Sequence, residues 1–413
     1  MKNKIKKLPG SLVELEVHLD EAEFRPYVDS AFNAEAATIN LKGFRPGMAP
    51  KEMVAGAVSQ EKVFRAAINE AVKMSLDEVK RENDWTFIDQ PRIEVTDNEK
   101  GVSYTAKLTL FPEVKLGNYQ KIAKKIFGEK KPAVISEAEV EKTLKWLLES
   151  RAQVLRAVRP AKKGDLVEVD IEVESEGKPV PNTSFKNEKF VLGESHFIKG
   201  FDEQLETHKE GDAFEFSITA PADYWQKEMQ GKSLDFKVKL HGVFDRAIPE
   251  LNDAFAAGLG PQFKTVAELK ANINEGLRLE KEEKETEKLR IKALDAIAKD
   301  AEMDIPNILI ERMLDSMVAD MGRMMPPNAS TSPEALAKEL REKLAGRAKD
   351  SVAGNLVLYK LAQVEKVEPS EDELIKAAQA ERVDLAKEYN YIYGRVQNQK
   401  VFALLEKFAK AEN

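Results

Sequence analysis

The sequence contains no cysteine. Disulfides, thiol nucleophiles, iron–sulfur clusters and cysteine-ligated zinc are therefore excluded. Histidine is nearly as scarce: His18, His196, His208 and His241 are the whole set, and the nearest two stand 12 residues apart. That spacing rules out a helical ligand pair of the H-E-x-x-H kind and disfavours a Ser-His-Asp hydrolase. No G-x-x-x-x-G-K-[ST] loop occurs, so no P-loop nucleotide site is expected. Aromatics make up only 7% of the chain. No run of 18 apolar residues occurs, which excludes a helical membrane span. The opening MKNKIKKLPG leads into SLVELEVHLDEAE, where charges interrupt the apolar stretch that a signal peptide requires. These absences lead us to expect a soluble cytoplasmic protein that uses neither metal nor cofactor.

What remains is ample for several cores. The 413 residues correspond to about three domains, and 42% of them are apolar against 33% charged. The net charge of −8 argues against a general DNA-coating protein. The charge is uneven: residues 112–160 hold 11 basic and 6 acidic side chains, a local +5.

Periodicity divides the chain. Leu15, Val17 and Leu19 alternate as in a strand, and Asp20 with Glu23 forms a capping box for a helix to about residue 38. A second helix is predicted at 60–82, and a strand pair at 92–95 and 102–111. Residues 1–111 thus read as an α+β domain. Residues 112–160 form a connector with a basic helix over 136–158. In 161–246, Val167, Val169, Ile171 and Val173 alternate with acidic residues, and further strand signals at 189–192, 213–219 and 234–244 surround a short helix at 201–208. This is a small β-rich domain. From 247 to 413 the pattern is helical, with helices at 264–300, 306–324, 333–365, 370–389 and 395–411. The fold class is multidomain α+β: an α+β head, a β-rich middle and an all-α C-terminal body. Lys2, Lys4, Lys6 and Lys7 read as a frayed basic tail.

Three segments are candidates for function. The turn Gly43-Phe44-Arg45-Pro46-Gly47-Met48-Ala49-Pro50 presents one ring and one guanidinium on backbone stiffened by glycine and proline. Arginine grips phosphate through two parallel hydrogen bonds, although spacing alone favours an ordinary surface turn with Phe44 folded back onto its domain. The apolar and aromatic segment 190–201, with Tyr224 and Phe236 further on, is either a pocket or the core of a small β domain. Six of the 11 methionines lie in 303–325. Met313, Met317, Met321 and Met324 recur at helical spacing, either as a core stripe or as an adaptable apolar face.

The first of these segments, G-F-R-x-G-x-x-P between two helices, resembles the ribosome-docking loop of the bacterial trigger factor family. The resemblance implies that Gly43, Phe44, Arg45, Pro46 and Gly47 contact the large ribosomal subunit, protein and rRNA, beside the exit tunnel. Pro46 stands where many members carry lysine, which removes one phosphate contact. Phe190-Val191-Leu192-Gly193-Glu194-Ser195-His196-Phe197-Ile198-Lys199-Gly200-Phe201 resembles the strand-to-helix segment of FKBP-type prolyl isomerases, and Pro221-Ala222-Asp223-Tyr224 their tyrosine loop. The resemblance assigns Phe197, Ile198, Phe201, Tyr224 and Phe236, with Ile171 on the first strand, to the isomerase pocket. Ile171 and Val180-Pro181-Asn182 depart from the family's pocket aromatics, which implies a weakened isomerase. Ile248-Pro249-Glu250-Leu251-Asn252-Asp253-Ala254-Phe255 matches the family's junction with a helical body that cradles unfolded chains, so the methionine stripe becomes a client surface.

The resemblance runs through the whole chain in order. It implies an ATP-independent, ribosome-associated chaperone for nascent polypeptides with prolyl isomerase activity, one that pairs as a homodimer away from the ribosome. The alternatives are a free isomerase whose other domains recruit substrate, and a helical scaffold that binds no clients.

Overall fold

The computed structural model describes residues 1–38, 56, 58–97, 101–180, 183–224, 229–324 and 333–410. The chain forms two compact units, residues 1–131 with 285–413 and residues 132–284.

The first unit begins with a four-stranded antiparallel sheet of order β1-β2-β4-β3. Its strands are β1 (Lys2–Leu8), β2 (Leu12–Leu19), β3 (Arg92–Asp97) and β4 (Val102–Thr109). Strict alternation places Val13, Leu15, Val17 and Leu19 of β2 beside Val102, Tyr104, Ala106 and Leu108 of β4, all buried. Helices α1 (Glu21–Thr38) and α2 (Gln60–Glu82) contribute Phe24, Ala31, Ala67, Ala71, Leu76 and Val79 to the same core. The predicted capping box is present: the Glu23 N–H donates to Asp20 Oδ1 at 3.0 Å and the Asp20 N–H to Glu23 Oε2 at 3.1 Å. The basic N-terminal segment is not a tail. It is the edge strand β1, paired with β2 from Lys2↔His18 to Leu8↔Leu12. Lysine on an edge strand blocks pairing with a further chain, which is why so charged a segment is tolerated there.

After β5 (Val114–Lys115) and α3 (Tyr119–Gly128) the chain enters the second unit. Helix α4 (Glu137–Ser150) begins at a capping box formed by Ser136 and Glu139. It ends eight residues earlier than periodicity predicts, because β6 (Gln153–Arg156) pairs with the end of the last strand of the domain (Ala247↔Gln153, Phe244↔Arg156). Tertiary pairing here overrides local helical preference. The six-stranded sheet also contains β7 (Leu166–Ser175), β8 (Lys178–Pro179), β9 (Phe185–Val191), β10 (Ala213–Thr219) and β11 (Ser233–Ala247), with the short helix α5 (Phe201–Leu205) over one face. Asp165 fastens the start of this domain. Its buried carboxylate accepts two hydrogen bonds from Arg159, at 2.6 and 2.9 Å, and one from the Lys162 N–H at 3.0 Å. Burial alone would raise its pKa. The Arg159 fork and the Lys162 N–H outweigh that and hold it below the usual carboxylate range.

Helix α6 (Asp253–Leu259) and the start of α7 (Val266–Asp300) pack Ala256 and Leu269 against Val140 and Leu144 of α4. Helix α7 then runs into the first unit, where β12 (Glu302–Met303) pairs with β5. Helices α8 (Asn307–Met324), α9 (Pro333–Val364), α10 (Glu371–Glu381) and α11 (Leu385–Lys410) complete the body. Its core joins Ala123, Ile126 and Phe127 of α3 to Ala293, Ile297, Val357, Leu361, Val401 and Leu405. Helix α10 stops at Arg382, which takes the left-handed conformation at φ 58°. The following helix therefore starts ten residues before the position read from periodicity.

Candidate functional site

The most developed site candidate lies in the β-rich domain. Ile198 and Phe201 are brought in by the 192–201 segment, Phe236 by β11, Ile171 by β7 and Phe197 by the loop before α5. Phe201 is fully buried and sits at the centre of a ring cluster. Its centroid lies 4.6 Å from Phe197, 5.2 Å from Phe236, 5.5 Å from Phe216 and 6.1 Å from Phe190. Phe197 is half-buried and meets Phe190 and Phe185 edge-on, at 5.3 and 5.7 Å. Tyr224, also half-buried, packs against the same cluster, and its carbonyl accepts a hydrogen bond from Gln230 Nε2 at 2.7 Å.

The predicted pocket residues therefore fall into two classes. Phe197 and Tyr224 are half-buried at the edge of the cluster, whereas Phe201, Phe236, Ile198 and Ile171 are buried within it. Ile171 is entirely enclosed, opposite Val238 of β11 on one side and Phe185 of β9 on the other.

Sequence reasoning left four rings of the cluster without a role. Phe185 and Phe190 come from β9. Phe214 and Phe216 are two residues apart on β10, and Phe216 pairs across the ladder with Phe236. The period-two spacing of Phe214 and Phe216 was the available signal, since it puts both rings on one face of a strand. His208 stacks on Phe214 at 3.6 Å with the rings 3° from parallel, extending the row of rings outward.

The chemistry available to such a cluster is the rotation of a prolyl imide. The barrier is about 20 kcal/mol because amide resonance is lost. An imide seated on dry aromatic surface loses the water that stabilises its charge-separated planar form, which lowers the barrier without a nucleophile or an acid–base pair. No cluster of three His, Cys, Asp or Glu side chains able to hold a metal ion occurs among the described residues.

The other two candidates are less visible. The loop Gly43, Phe44, Arg45, Pro46 and Gly47 lies outside the described residues. The methionines of α8 do not behave alike. Met313 and Met317 pack partly buried in the seam with Leu314, Leu340, Leu344 and Ala348, while Met321 is 40% exposed. The backbone of Met324 belongs to the last turn of α8, and its side chain lies outside the described residues. No helix among the described residues is long and apolar enough to cross a membrane.

Comparison with known proteins bears on all three segments. The family model for bacterial trigger factor protein matches residues 1–147, that for the trigger factor C-terminus residues 265–412, and that for FKBP-type peptidyl-prolyl cis-trans isomerase residues 158–241. The trigger factor of Caldicellulosiruptor bescii is 31% identical over 398 residues, covering 94% of this chain and 89% of the relative. That of Ligilactobacillus salivarius is 33% identical over 376 residues, covering 88% and 84%. A solved structure described as "Promiscuous Substrate Recognition in Folding and Assembly Activities of the Trigger Factor Chaperone" aligns over 98% of this chain and 99% of its own, with a TM-score of 0.51 at 21% identity, a likeness of fold. The relatives align through head, isomerase domain and body alike, which does not favour a free isomerase. The chain belongs to the bacterial trigger factor family, as a ribosome-associated chaperone that carries an FKBP-type peptidyl-prolyl isomerase domain.

Proposed function

We propose that this chain works without ATP in the cytoplasm, meeting nascent polypeptides beside the exit tunnel of the large ribosomal subunit. In this reading the head, residues 1–111, docks through Phe44 and Arg45 on ribosomal protein and rRNA. The stretch 112–160 connects it to the isomerase at 161–246, and the helical body at 247–413 shields apolar segments of the client with Met321 and its neighbours on α8. Away from the ribosome two copies pair, which sedimentation of the free chain tests.

The observation that carries the isomerase part is the cluster around the buried Phe201, with Phe197 and Tyr224 half-buried at its rim. An aromatic–proline segment fits such a rim because rings favour offset and edge-on contacts. The test is proline-limited refolding with Phe197→Ala and Tyr224→Ala. Both variants should slow catalysed refolding, while the full chain still suppresses aggregation of an unfolded client. Unimpaired refolding catalysis in both would remove the rim from the site. For docking, Phe44→Ala with Arg45→Ala should abolish co-sedimentation with ribosomes, and retained binding would reject that role.

A further inference from the structure

We propose that Asp202 is a positioning residue for the isomerase, acting through Ser195 to hold Phe197 against Phe201. The proposal rests on Phe197 belonging to the substrate-contacting rim.

The segment that carries Phe197 runs between two glycines in the left-handed region, Gly193 at φ 90° and Gly200 at φ 96°. Between them no residue joins a strand or helix. Backbone of this kind has few bonds of its own to fix it. Asp202, in the first turn of α5, supplies them from outside. Its Oδ2 accepts from the Gly193 N–H at 2.6 Å and from the Ser195 N–H at 3.3 Å. Its Oδ1 accepts from the Ser195 hydroxyl, and the Ser195 Oγ in turn accepts from the Phe197 N–H at 3.3 Å. The relay is directional: the Phe197 amide donates to serine, and serine donates to the carboxylate. Hydrogen bonds to an ionised acceptor are roughly twice as strong as neutral ones.

The direction of these bonds separates the arrangement from ordinary helix capping. A carboxylate in a first turn normally serves the free N–H groups of its own helix. Both Asp202 oxygens instead reach backward to the loop, seven and nine residues earlier. The clamp also ends where the chemistry begins, because the last amide in the relay is that of Phe197, whose ring lies 4.6 Å from Phe201. A displacement of about 1 Å in a group that shapes a reacting site costs up to 100-fold in rate.

The experiment uses the full chain and a Phe-Pro tetrapeptide, with kcat and KM measured well below the thermal midpoint. Asp202→Ala and Ser195→Ala should each lower kcat/KM about tenfold, the equivalent of about one charge-assisted hydrogen bond. The double variant should be no worse than Asp202→Ala alone, because both remove one relay. Asp202→Asn should fall between the parent and Asp202→Ala, since its amide oxygen can still accept from the Gly193 and Ser195 N–H groups while its NH2 cannot accept from the serine hydroxyl. Amide hydrogen exchange at Gly193, Ser195 and Phe197 should quicken in the alanine variants. If Asp202→Ala does not fold, Ser195→Ala, which removes one hydroxyl, carries the test.

A lowered thermal midpoint with kcat/KM within twofold of the parent in both alanine variants would overturn the proposal and leave Asp202 a structural residue. Phe197→Ala distinguishes the two levels. If it abolishes activity while Asp202→Ala and Ser195→Ala leave kcat/KM within twofold of the parent, positioning fails and the rim stands. If it leaves activity intact, the rim itself fails.

Discussion

Replacing Phe201 with leucine should disable the isomerase domain while leaving the other unit working. Phe201 is 0% exposed and meets four other rings at centroid distances between 4.6 and 6.1 Å. Each such pair contributes about 0.5–1.5 kcal/mol beyond area burial, and neighbouring pairs do not add fully. Leucine keeps much of the buried apolar surface but forfeits the ring edges, for a net loss of about 2–3 kcal/mol. Alanine adds a cavity, which brings the cost to about 3–5 kcal/mol. In a domain of this size the leucine variant should lower the melting midpoint by about 10–20 °C. Scanning calorimetry on the full chain reads that midpoint. Prolyl isomerisation measured below it should fall by more than tenfold, because the ring packed against Phe197 is gone, while aggregation suppression by the helical body persists. A midpoint within about 2 °C of the parent would refute the reasoning, since it would mean that the ring cluster contributes nothing to holding the domain together.

Further outcomes follow from other parts of the molecule. Gly101 adopts φ 109° and a Cβ there would sit 2.2 Å from the Leu19 carbonyl oxygen; Gly101→Ala should cost the head more than about 2 kcal/mol and weaken ribosome co-sedimentation, and an unchanged head midpoint would contradict this. Burial pushes the Tyr104 phenol up to about 12 against the opposing pull of the Ser75 hydroxyl at 2.7 Å. Unfolded tyrosine titrates near pH 10, so the stability Tyr104 contributes is fully present below about pH 10 and is lost as pH rises towards 12; urea midpoints between pH 8 and 11.5 should fall less steeply in Tyr104→Phe, and equal slopes would refute it. Met321→Ser should change stability by no more than about 0.5 kcal/mol yet reduce aggregation suppression, whereas Met317→Ser, in the seam with Leu314 and Leu344, should cost about 1–3 kcal/mol; undiminished suppression by the Met321 variant would remove it from the client surface.

Much of the fold was legible because its elements satisfy their own local rules. β2, β4 and β7 show strict alternation, α10 carries its capping box at Ser370 and Glu373, and the turn at Gly101 lies where β3 and β4 must reverse. What escaped reading depends on partners distant in sequence. β1 looks like a basic tail until β2 offers it a ladder, and β6 looks helical until β11 returns 90 residues later. Phe190, Phe201 and Phe236 of the ring cluster stand in segments that the resemblance singled out, yet Phe185 was not legible, because β9 carries it five residues before Phe190 and no single-strand period groups them. The Asp202 relay was invisible for the same reason: nothing in Gly193–Phe201 as letters says which donors one carboxylate will collect.

The ladder between β5 and β12 joins Val114 to Met303, and Tyr119 on α3 meets Phe408 on α11 at 6.3 Å and donates to Glu365 at 2.5 Å. These partners are made far apart in time. At about 5–20 residues per second of synthesis, Tyr119 waits roughly 15–60 s for the last helix. The isomerase domain, a continuous stretch between those points, can close its sheet while that wait continues. The helical body has no such freedom, because its first strand and its last helix enclose almost the whole of the intervening chain. A molecule that shelters unfinished proteins is thus itself unfinished until α11 has been made, and α3, with its apolar Ala123, Ile126 and Phe127, waits for that helix to cover it.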